Sequence, residues 1–432
     1  MLTAYWMPKS GWLCARLQWQ FQERQPFLPL DAESPQERNC LIIQEAKPDF
    51  LCTLDRTLPI LPPGCRAELD ASDSHHVKWG LTWSEAGEGI GRVDDLAYIL
   101  YTSGSTGVPK GVQITRENAD AFLNWAAYQL PLKKDDVVAS IAPFHFDLSV
   151  YDLHLSSKVG ARVYVPTGAA TRNPRLMAAE LSKAQVTSMY CTPTFLQLLV
   201  NHGRVERQDW SALRQILFAG EPYPIAALRR AMEVWPDVAF HNLYGPTETN
   251  VIAHYALRRE ALPEDKVPIG RGASGANLML SQDGELWASG PSVSPGYLSG
   301  HSADRWVVRD GMLWYKTGDR VSLRENQYVF EGRMDRMVKR RGYRIEPAEI
   351  ERVYSDAEDI EEAICISSES GLALVYRLCR DSDQDLTFDQ MMAIGRKGLP
   401  AYMLPDRFGC WRGAWPMTSN GKLDQARLHQ KF

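Results

Sequence analysis

Residues 101–112 read YTSGSTGVPKGV and follow an apolar run, Leu96–Leu100, that is typical of a buried strand. Glycines let the backbone come close to a polyanion, and serine and threonine hydroxyls donate hydrogen bonds to phosphate oxygens. Lys110 adds a mobile positive charge near the end of the stretch. A flexible serine-glycine linker is the alternative, but the preceding strand and the Pro109-Lys110 pair disfavour it. The pattern therefore predicts a phosphate-holding loop at the end of a strand.

The loop differs from the common P-loop, because Gly111 follows the lysine in place of serine or threonine. Its order resembles the signature loop of the adenylate-forming superfamily, which includes acyl-CoA ligases, luciferases and the adenylation domains of nonribosomal peptide synthetases. Further segments resemble that family's motifs in the family's order, and the resemblance extends from about Phe27 to Asp424. These segments are FDLS (146–149), AGEP (219–222), NLYGPTET (242–249), GEL (284–286), YKTGD (315–319), GRMD (332–335), GYRIE (342–346), LPAYMLP (399–405) and NGKLD (420–424).

Composition narrows the class of protein further. The 432 residues are 44% hydrophobic with a net charge of −5, which suits a globular chain with a large core and more than one domain. Interspersed charges of both signs disfavour nucleic acid and anionic membrane as partners. We find no apolar run long enough to span a bilayer and no signal-peptide pattern. Eight scattered cysteines without zinc-type spacing read as reduced thiols, so we expect a cytoplasmic protein.

Short apolar runs alternate with helical patterns from Leu96 to about Tyr255, which predicts an α/β fold of parallel sheets flanked by helices. Between Asn277 and Glu331 the segments are shorter and favour an antiparallel or small barrel-like section. The resemblance implies a large domain over residues 1–334 and a small, mobile α+β domain over 335–432, with Asp335 as the hinge. Predicted strands are 137–142, 162–165, 186–191, 213–219, 239–243, 363–367 and 372–377, and predicted helices are 117–130, 174–184, 225–235, 347–354 and 388–398.

Two segments lack a clear pattern. Residues 1–25 show no periodicity, and relatives carry several dozen residues before the segment that resembles Leu28-Pro29-Leu30-Asp31, so we expect a first subdomain that is shortened at its start. Residues 60–94 have the composition of a loop.

The family resemblance implies that ATP is bound by residues with recognisable chemistry. Adenine needs a flat apolar platform and an amide, which Tyr244 and Asn242 can supply. A carboxylate such as Asp319 can accept both ribose hydroxyls. The full set of implied nucleotide-binding residues is Thr102, Ser103, Gly104, Ser105, Thr106, Gly107, Gly220, Glu221, Pro222, Asn242, Tyr244, Gly245, Asp319 and Arg333.

The resemblance also implies catalytic roles. Lys422 bridges the substrate carboxylate and the phosphate, Lys110 neutralises departing pyrophosphate, and Thr247 donates to the α-phosphate. Glu248 is the implied ligand for Mg²⁺ on the ATP phosphates. Asp335 is the implied hinge about which the small domain turns between two half-reactions.

Asp147 points to the class of acid that is activated. A buried carboxylate needs a cation, and in amino-acid-activating relatives this position binds the α-ammonium. The alternative is a helix-capping aspartate. The residues that resemble the family's substrate positions are Asp147, Leu148, Tyr151, Tyr190, Leu217, Ala219, Leu243, Val251 and Ile252. This largely apolar set is similar to that of stand-alone enzymes that activate L-proline, with Tyr151 and Ile252 as departures.

We therefore expect a small amino acid to be adenylated and then passed to the phosphopantetheine thiol of a separate carrier protein, or to coenzyme A, because no carrier signature follows Asp424. A D-alanine:carrier-type ligase or an aryl- or acyl-acid ligase is the alternative within enzymes. An inactive nucleotide-binding remnant or regulator is the alternative from another class, and it predicts ATP binding without exchange.

Overall fold

The computed structural model describes residues 1–84, 91–300, 304–340, 342–368, 371–379, 385–417 and 423–430. Within these ranges no helix is both long enough and apolar enough to cross a bilayer. All eight cysteines lie among the described residues, and no disulfide joins them.

The first sheet has seven strands in the spatial order β4-β5-β3-β1-β2-β6-β7. Its centre is parallel, because β1 runs parallel to β2 and β3, and β2 runs parallel to β6. β5 pairs with β3, β4 with β5 and β7 with β6 in the antiparallel sense. The strands are β1 (Thr3–Trp6), β2 (Phe27–Pro29), β3 (Phe50–Thr53), β4 (Cys65–Ser72), β5 (Val77–Trp83), β6 (Leu96–Thr102) and β7 (Lys110–Thr115).

The second sheet also has seven strands, in the order β14-β13-β12-β11-β10-β8-β9. Five neighbouring strands, β12, β11, β10, β8 and β9, run parallel, so their carboxyl ends meet at one edge of the sheet. β13 and β14 extend the sheet in the antiparallel sense. The strands are β8 (Val137–Ser140), β9 (Arg162–Tyr164), β10 (Ser188–Cys191), β11 (Gln215–Phe218), β12 (Ala239–Tyr244), β13 (Ala253–Ala256) and β14 (Arg271–Gly272).

Three smaller sheets complete the β-structure. The antiparallel third sheet contains β15 (Asn277–Leu280), β16 (Glu285–Ser289), β17 (Trp306–Arg309), β18 (Met312–Arg324) and β19 (Gln327–Arg333). A hairpin follows, formed by β20 (Val338–Arg340) and β21 (Tyr343–Ile345). The last sheet contains β22 (Ile360–Ser368), β23 (Gly371–Leu378) and β24 (Arg407–Cys410).

Helices pack on these sheets, and the longer ones bury an apolar side. They are α1 (Gly11–Gln22), α2 (Gln36–Ala46), α3 (Arg116–Gln129), α4 (Ser156–Val159), α5 (Pro174–Lys183), α6 (Pro193–His202), α7 (Ile225–Val234), α8 (Pro347–Ser355), α9 (Phe388–Gly398) and α10 (Gln425–His429), with a π-helix at Tyr151–Leu155. The start of α3 illustrates the local logic, because Thr115 and Asn118 form a capping box there. The apolar stripe of α3 then packs into a core that both seven-stranded sheets share.

The architecture confirms the α/β fold with parallel sheets flanked by helices, the antiparallel third section and the α+β module near the end of the chain. Asp335 lies between β19 and β20, at the start of that module. The domain boundary at this residue stays a prediction.

Two expectations for the first sheet need correction or completion. Residues 60–94 contain β4 and β5 rather than a loop alone, and this hairpin has a polar composition because β4 is largely exposed at the sheet edge. Residues 1–25 form β1 and α1, with β1 between β2 and β3 in the sheet. β1 has only four residues, of which three are buried, so its sequence shows no alternation of apolar and polar residues. The sequence alone therefore did not predict this strand.

Candidate active site

A central cavity lies at the edge where the parallel strands of the second sheet end. The residues that follow β8, β11 and β12 converge on it, as expected for a ligand site in a parallel α/β sheet. Of the residues predicted from the sequence, those that line it are Thr102, Ser103, Asp147, Leu148, Tyr190, Ala219, Gly220, Gly245, Thr247, Val251, Asp319 and Arg333.

A second pocket adjoins the central cavity, and Gly220 and Lys339 line both. The predicted adenine-binding residues are brought together here, since the lining includes Gly220, Glu221, Pro222, Asn242 and Tyr244. The Asn242 side-chain amide donates a 2.7 Å hydrogen bond to the Pro268 carbonyl, which holds it at the end of β12. The pocket therefore combines an aromatic ring with backbone from the AGEP segment.

Asp319 is buried beside this pocket and is held by two partners. Tyr244 donates its hydroxyl to one carboxylate oxygen at 2.5 Å, and the Arg333 guanidinium bonds the other at 2.6 Å. Arg333 also contacts Asp335 through two hydrogen bonds, and Arg305 contacts the same Asp335 carboxylate at 2.8 Å. The implied ribose ligand and the implied hinge residue thus share one arginine.

The predicted phosphate loop connects β6 to β7 and is tightly folded. A Cβ atom on Gly104 would lie 1.8 Å from the Val108 carbonyl oxygen, so this turn requires glycine. Lys110 opens β7, and its Nζ lies 3.1 Å from the Ser105 Oγ. Burial lowers the pKa of Lys110. The side chains of Ser105 and Thr106 are exposed, whereas Ser103 is buried.

Residues 344–352, which follow Asp335, cover this loop. The Ser103 Oγ donates to the Arg344 carbonyl at 2.9 Å and accepts from the Glu346 N–H at 3.0 Å. The Arg352 Nε donates to the Gly107 carbonyl at 2.7 Å. The hairpin β20–β21 and helix α8 are therefore docked on the loop in this arrangement.

Asp147 lines the central cavity together with apolar side chains. Burial raises its pKa to about 6, the hydrogen bond from Thr247 opposes this rise, and the nearby Glu248 charge adds to it. A carboxylate in this setting favours an added cation, because ion pairing offsets the cost of its burial.

The predicted substrate residues fall into three groups. Leu148, Tyr190, Ala219 and Val251 line the cavity with Asp147. Tyr151, Leu217 and Leu243 are buried in the same apolar cluster behind that lining, and Leu243 also reaches the second pocket. The Tyr151 hydroxyl is 3.0 Å from both Ser188 Oγ and Gln215 Nε2. Ile252 lies elsewhere, in a cluster with Tyr244.

Glu248 is completely buried and is already paired. One Nη atom of Arg344 lies 3.0 Å from both of its carboxylate oxygens, and Tyr297 donates its hydroxyl at 2.6 Å. Burial raises the pKa of Glu248, but Arg344 and Tyr297 outweigh this and hold the pKa below its usual value. Among the described residues no cluster of three or more metal-binding side chains occurs. This donor set does not fit Mg²⁺ while Arg344 remains in place.

Lys422 lies outside the described residues. Leu423 and Leu428, which follow it, pack with Ile364, Ile366 and Val375 on the last sheet. The described residues that reach the cavity from beyond Asp335 are Met337, Lys339, Gly342, Tyr343, Arg344 and Tyr402.

Several cavity residues were not assigned a role from the sequence: Arg38, His145, Lys339, Arg344 and Tyr402. Arg344 belongs to the GYRIE segment, which signals its importance without showing its contact with Glu248. Arg38 forms a buried ion pair of 2.8 Å with Glu349, a residue 311 positions away. No local pattern predicts a contact over that separation.

Comparisons with known proteins agree with this geometry. A profile of the family described as "AMP-binding enzyme" matches residues 26–298. An L-proline--[L-prolyl-carrier protein] ligase of Streptomyces coelicolor is 34% identical over 98% of this chain and 86% of its own length. A ligase of the same name from Pseudomonas fluorescens is 36% identical over 78% of this chain and 68% of its own length. The solved Vibrio cholerae adenylation domain AlmE, in complex with glycyl-adenosine-5'-phosphate, has the same fold, with a TM-score of 0.80 and 21% sequence identity. The match covers 100% of this chain and 88% of the AlmE chain.

Proposed function

Because this chain belongs to the family of AMP-binding enzymes, we propose that it activates a small amino acid with ATP to form aminoacyl-AMP and pyrophosphate. L-proline is the first candidate substrate, since it is named for relatives at 34% and 36% identity. The enzyme then passes the aminoacyl group to the phosphopantetheine thiol of a separate carrier protein, or to coenzyme A. We place this activity in the cytoplasm.

The observation that carries this proposal is the position of Asp147. Its side chain lines the same cavity as Asp319, Thr102 and Ser103, and the lining also includes Phe146, Leu148, Tyr190, Ala219 and Val251. Such a site pairs with an α-ammonium group while it leaves the amino acid's own carboxylate next to the nucleotide. Tyr190, Ala219 and Val251 leave room for a compact apolar side chain and give no partner to a charged one.

The first half-reaction needs positioning and positive charge. The substrate carboxylate oxygen attacks the α-phosphorus of ATP, and pyrophosphate leaves with the electron pair of the broken P–O bond. Lys110 lies on the phosphate loop, where its charge offsets that of pyrophosphate, and Thr247 lies beside Asp147 as a hydroxyl donor. We assign Lys422 the contact with the substrate carboxylate and the α-phosphate.

Mg²⁺ is part of the proposal as the usual companion of ATP phosphates. It supplies charge neutralisation on those phosphates. Glu248 is the residue assigned to it, and this role requires Arg344 to leave the carboxylate, because the two cations compete for the same oxygens. Turning of the small domain about Asp335 would separate that pair.

A panel of amino acids in ATP–pyrophosphate exchange tests the proposal. Exchange that depends on L-proline or another small aliphatic amino acid supports it, and Lys422→Ala should abolish that exchange. Exchange that depends on D-alanine or an aryl acid favours the other ligase classes. ATP binding without exchange for any acid in the panel would identify an inactive nucleotide-binding protein and refute the proposal.

A further inference from the structure

His145 lines the central cavity two residues before Asp147, and the mechanism above does not use it. Its side chain is 18% exposed, and the ring packs edge-on against Phe146 with centroids 5.2 Å apart. The Nε2 atom is buried, and no residue in the described part of the chain forms a hydrogen bond with it. Asp31 Oδ2 lies 4.0 Å from this nitrogen.

The surroundings keep this imidazole uncharged at neutral pH. Burial lowers the pKa of His145 to about 4, the Asp31 carboxylate opposes this, and the charges of Arg38 and Lys9 add to it. Both cations are engaged elsewhere, since Arg38 pairs with Glu349 and Lys9 donates to the carbonyls of Ser140 and Ala142. A neutral imidazole has one ring nitrogen with a lone pair that can accept a proton.

His145 belongs to one of two groups of residues in the cavity. Asp319 and Arg333 form the nucleotide group in this cavity, and Tyr244 donates a hydrogen bond to Asp319 from the second pocket. The other group, the His145 group, contains His145, Phe146, Tyr343 and Tyr402. The Tyr343 ring stacks on Tyr402 with ring centroids 3.7 Å apart, and it packs edge-on against Phe146 with centroids 4.8 Å apart. Asp147 and Thr247 stand in the same cavity as both groups.

Arg38 connects the His145 group to the protein surface. It lines the central cavity and also a groove between α2, α8 and α9 that is bordered by Leu61, Pro62, Val353, Ile394 and Lys397. Arg38 therefore lies between the central cavity and this groove, where its buried ion pair with Glu349 joins α2 to α8. The predicted nucleotide residues Asp319 and Arg333 belong to the other group, so the proposal assigns the thiol and AMP to different residues of the cavity.

We propose that His145 is the proton acceptor for the thiol in the transfer half-reaction. The proposal rests on the function proposed above. The sulfur attacks the carbonyl carbon of aminoacyl-AMP, and its proton moves to the unprotonated ring nitrogen of His145 as the C–S bond forms. The C–O bond to the phosphate breaks, and AMP leaves with that electron pair. Asp31 stabilises the imidazolium that results, and solvent or AMP later removes its proton.

Separate assays of the two half-reactions test this role. We would measure amino-acid-dependent pyrophosphate exchange and single-turnover thioester formation from synthetic aminoacyl-AMP in the wild-type enzyme, His145→Gln and His145→Ala. His202→Gln is the matched control, since His202 is exposed at the end of α6. His145→Gln should slow transfer by about 10²-fold or more, the usual contribution of a general base, and should slow transfer at least tenfold more than exchange, whereas His202→Gln should leave both rates unchanged.

The acidity of the thiol separates proton transfer from simple positioning. Trifluoroethanethiol ionises more readily than N-acetylcysteamine, so it needs less help from a base. The loss in His145→Gln should be at least tenfold smaller with trifluoroethanethiol, and Asp31→Asn should show the same trend more weakly.

Two results would overturn the inference. One is exchange and transfer both at wild-type rates in His145→Gln, which leaves the proposed function intact. The other is an equal loss of transfer with both thiols, whatever happens to exchange, because a structural defect does not depend on thiol acidity. Absence of exchange in the wild-type enzyme would instead refute the proposed function.

Discussion

Asp147 is the residue on which the proposal of an amino acid substrate chiefly depends. Its pKa is raised to about 6, chiefly by burial, so the carboxylate is ionised above that pH and protonated below it. Only the ionised form pairs with an α-ammonium group. Binding of an amino acid to the free enzyme therefore becomes weaker as the pH falls through 6.

A pH profile checks this expectation. The kcat/KM for the amino acid in pyrophosphate exchange should fall about tenfold per pH unit below pH 6, because each unit removes nine-tenths of the ionised form. Asp147→Asn should lower kcat/KM about 100-fold at pH 8, as loss of a buried charge pair costs about 3 kcal/mol. Its profile should lack the step near pH 6. A step that persists in the variant would contradict the assignment.

Val251 and Ile252 show why neighbouring residues can serve different sites. The Ile252 N–H donates to the Tyr244 carbonyl at 2.8 Å, and the Ile252 carbonyl accepts from Ala273 at 2.8 Å, so this segment is extended beside β12. Successive side chains of an extended segment point to opposite sides. Val251 therefore lines the cavity, whereas Ile252 packs with Tyr244 on the other side.

At the scale of elements, α2 and α8 are joined by the buried ion pair of Arg38 and Glu349, whose side chains are 6% and 1% exposed. Removing one partner leaves the other charge buried without compensation. We expect Arg38→Met to destabilise the docking of α8 by about 3–5 kcal/mol. Hydrogen exchange of the α8 amides measures this change directly.

The same helix supplies the control for that prediction. Glu351 on α8 pairs with Arg336, which is 46% exposed, so Arg336→Met should cost less than about 1 kcal/mol. The double variant Arg38→Met with Glu349→Leu should recover most of the loss, since no charge is left buried. Equal exchange rates in Arg38→Met and the wild-type protein would contradict the prediction.

At the scale of the whole molecule, the contact between Arg344 and Glu248 helps to hold the β20–β21 hairpin over the phosphate loop. The same docking uses the Gly342 N–H, which donates to the Glu221 carboxylate, and the Ser103 hydroxyl. These contacts all connect residues before Asp335 with residues after it. The arrangement described here is therefore stabilised by polar contacts directly in the active site.

Replacing Arg344 tests how much the arrangement depends on it. Arg344→Ala leaves the buried Glu248 carboxylate without its cation, so the docked state loses stability relative to one in which water reaches Glu248. Small-angle X-ray scattering should show a larger radius of gyration than for the wild-type protein. Arg172→Ala is the control, because its pair with Glu33 is 78% and 83% exposed. Identical scattering of Arg344→Ala and the wild-type protein would argue against this role.

Local pattern was sufficient to predict the α/β fold and a glycine-rich loop at the end of a strand, whereas the nucleotide-binding residues came from the family resemblance and their role stays a prediction. Periodicity and glycine placement are short-range properties, and parallel strands bring their carboxyl ends to one edge whatever the details of packing. The prediction of a loop at residues 60–94 was wrong, because an exposed hairpin at the edge of a sheet has few apolar residues and therefore shows little strand pattern.

Contacts between distant parts of the chain required the folded structure. The pairs Arg38–Glu349, Arg344–Glu248 and His145–Asp31 join residues separated by about a hundred positions or more, and their chemistry depends on burial. Burial also decides charge, since it raises the pKa of Asp147 and lowers that of His145. The residue type determines which protonation states a side chain can have, whereas the surrounding protein determines which of these states is stable at a given pH.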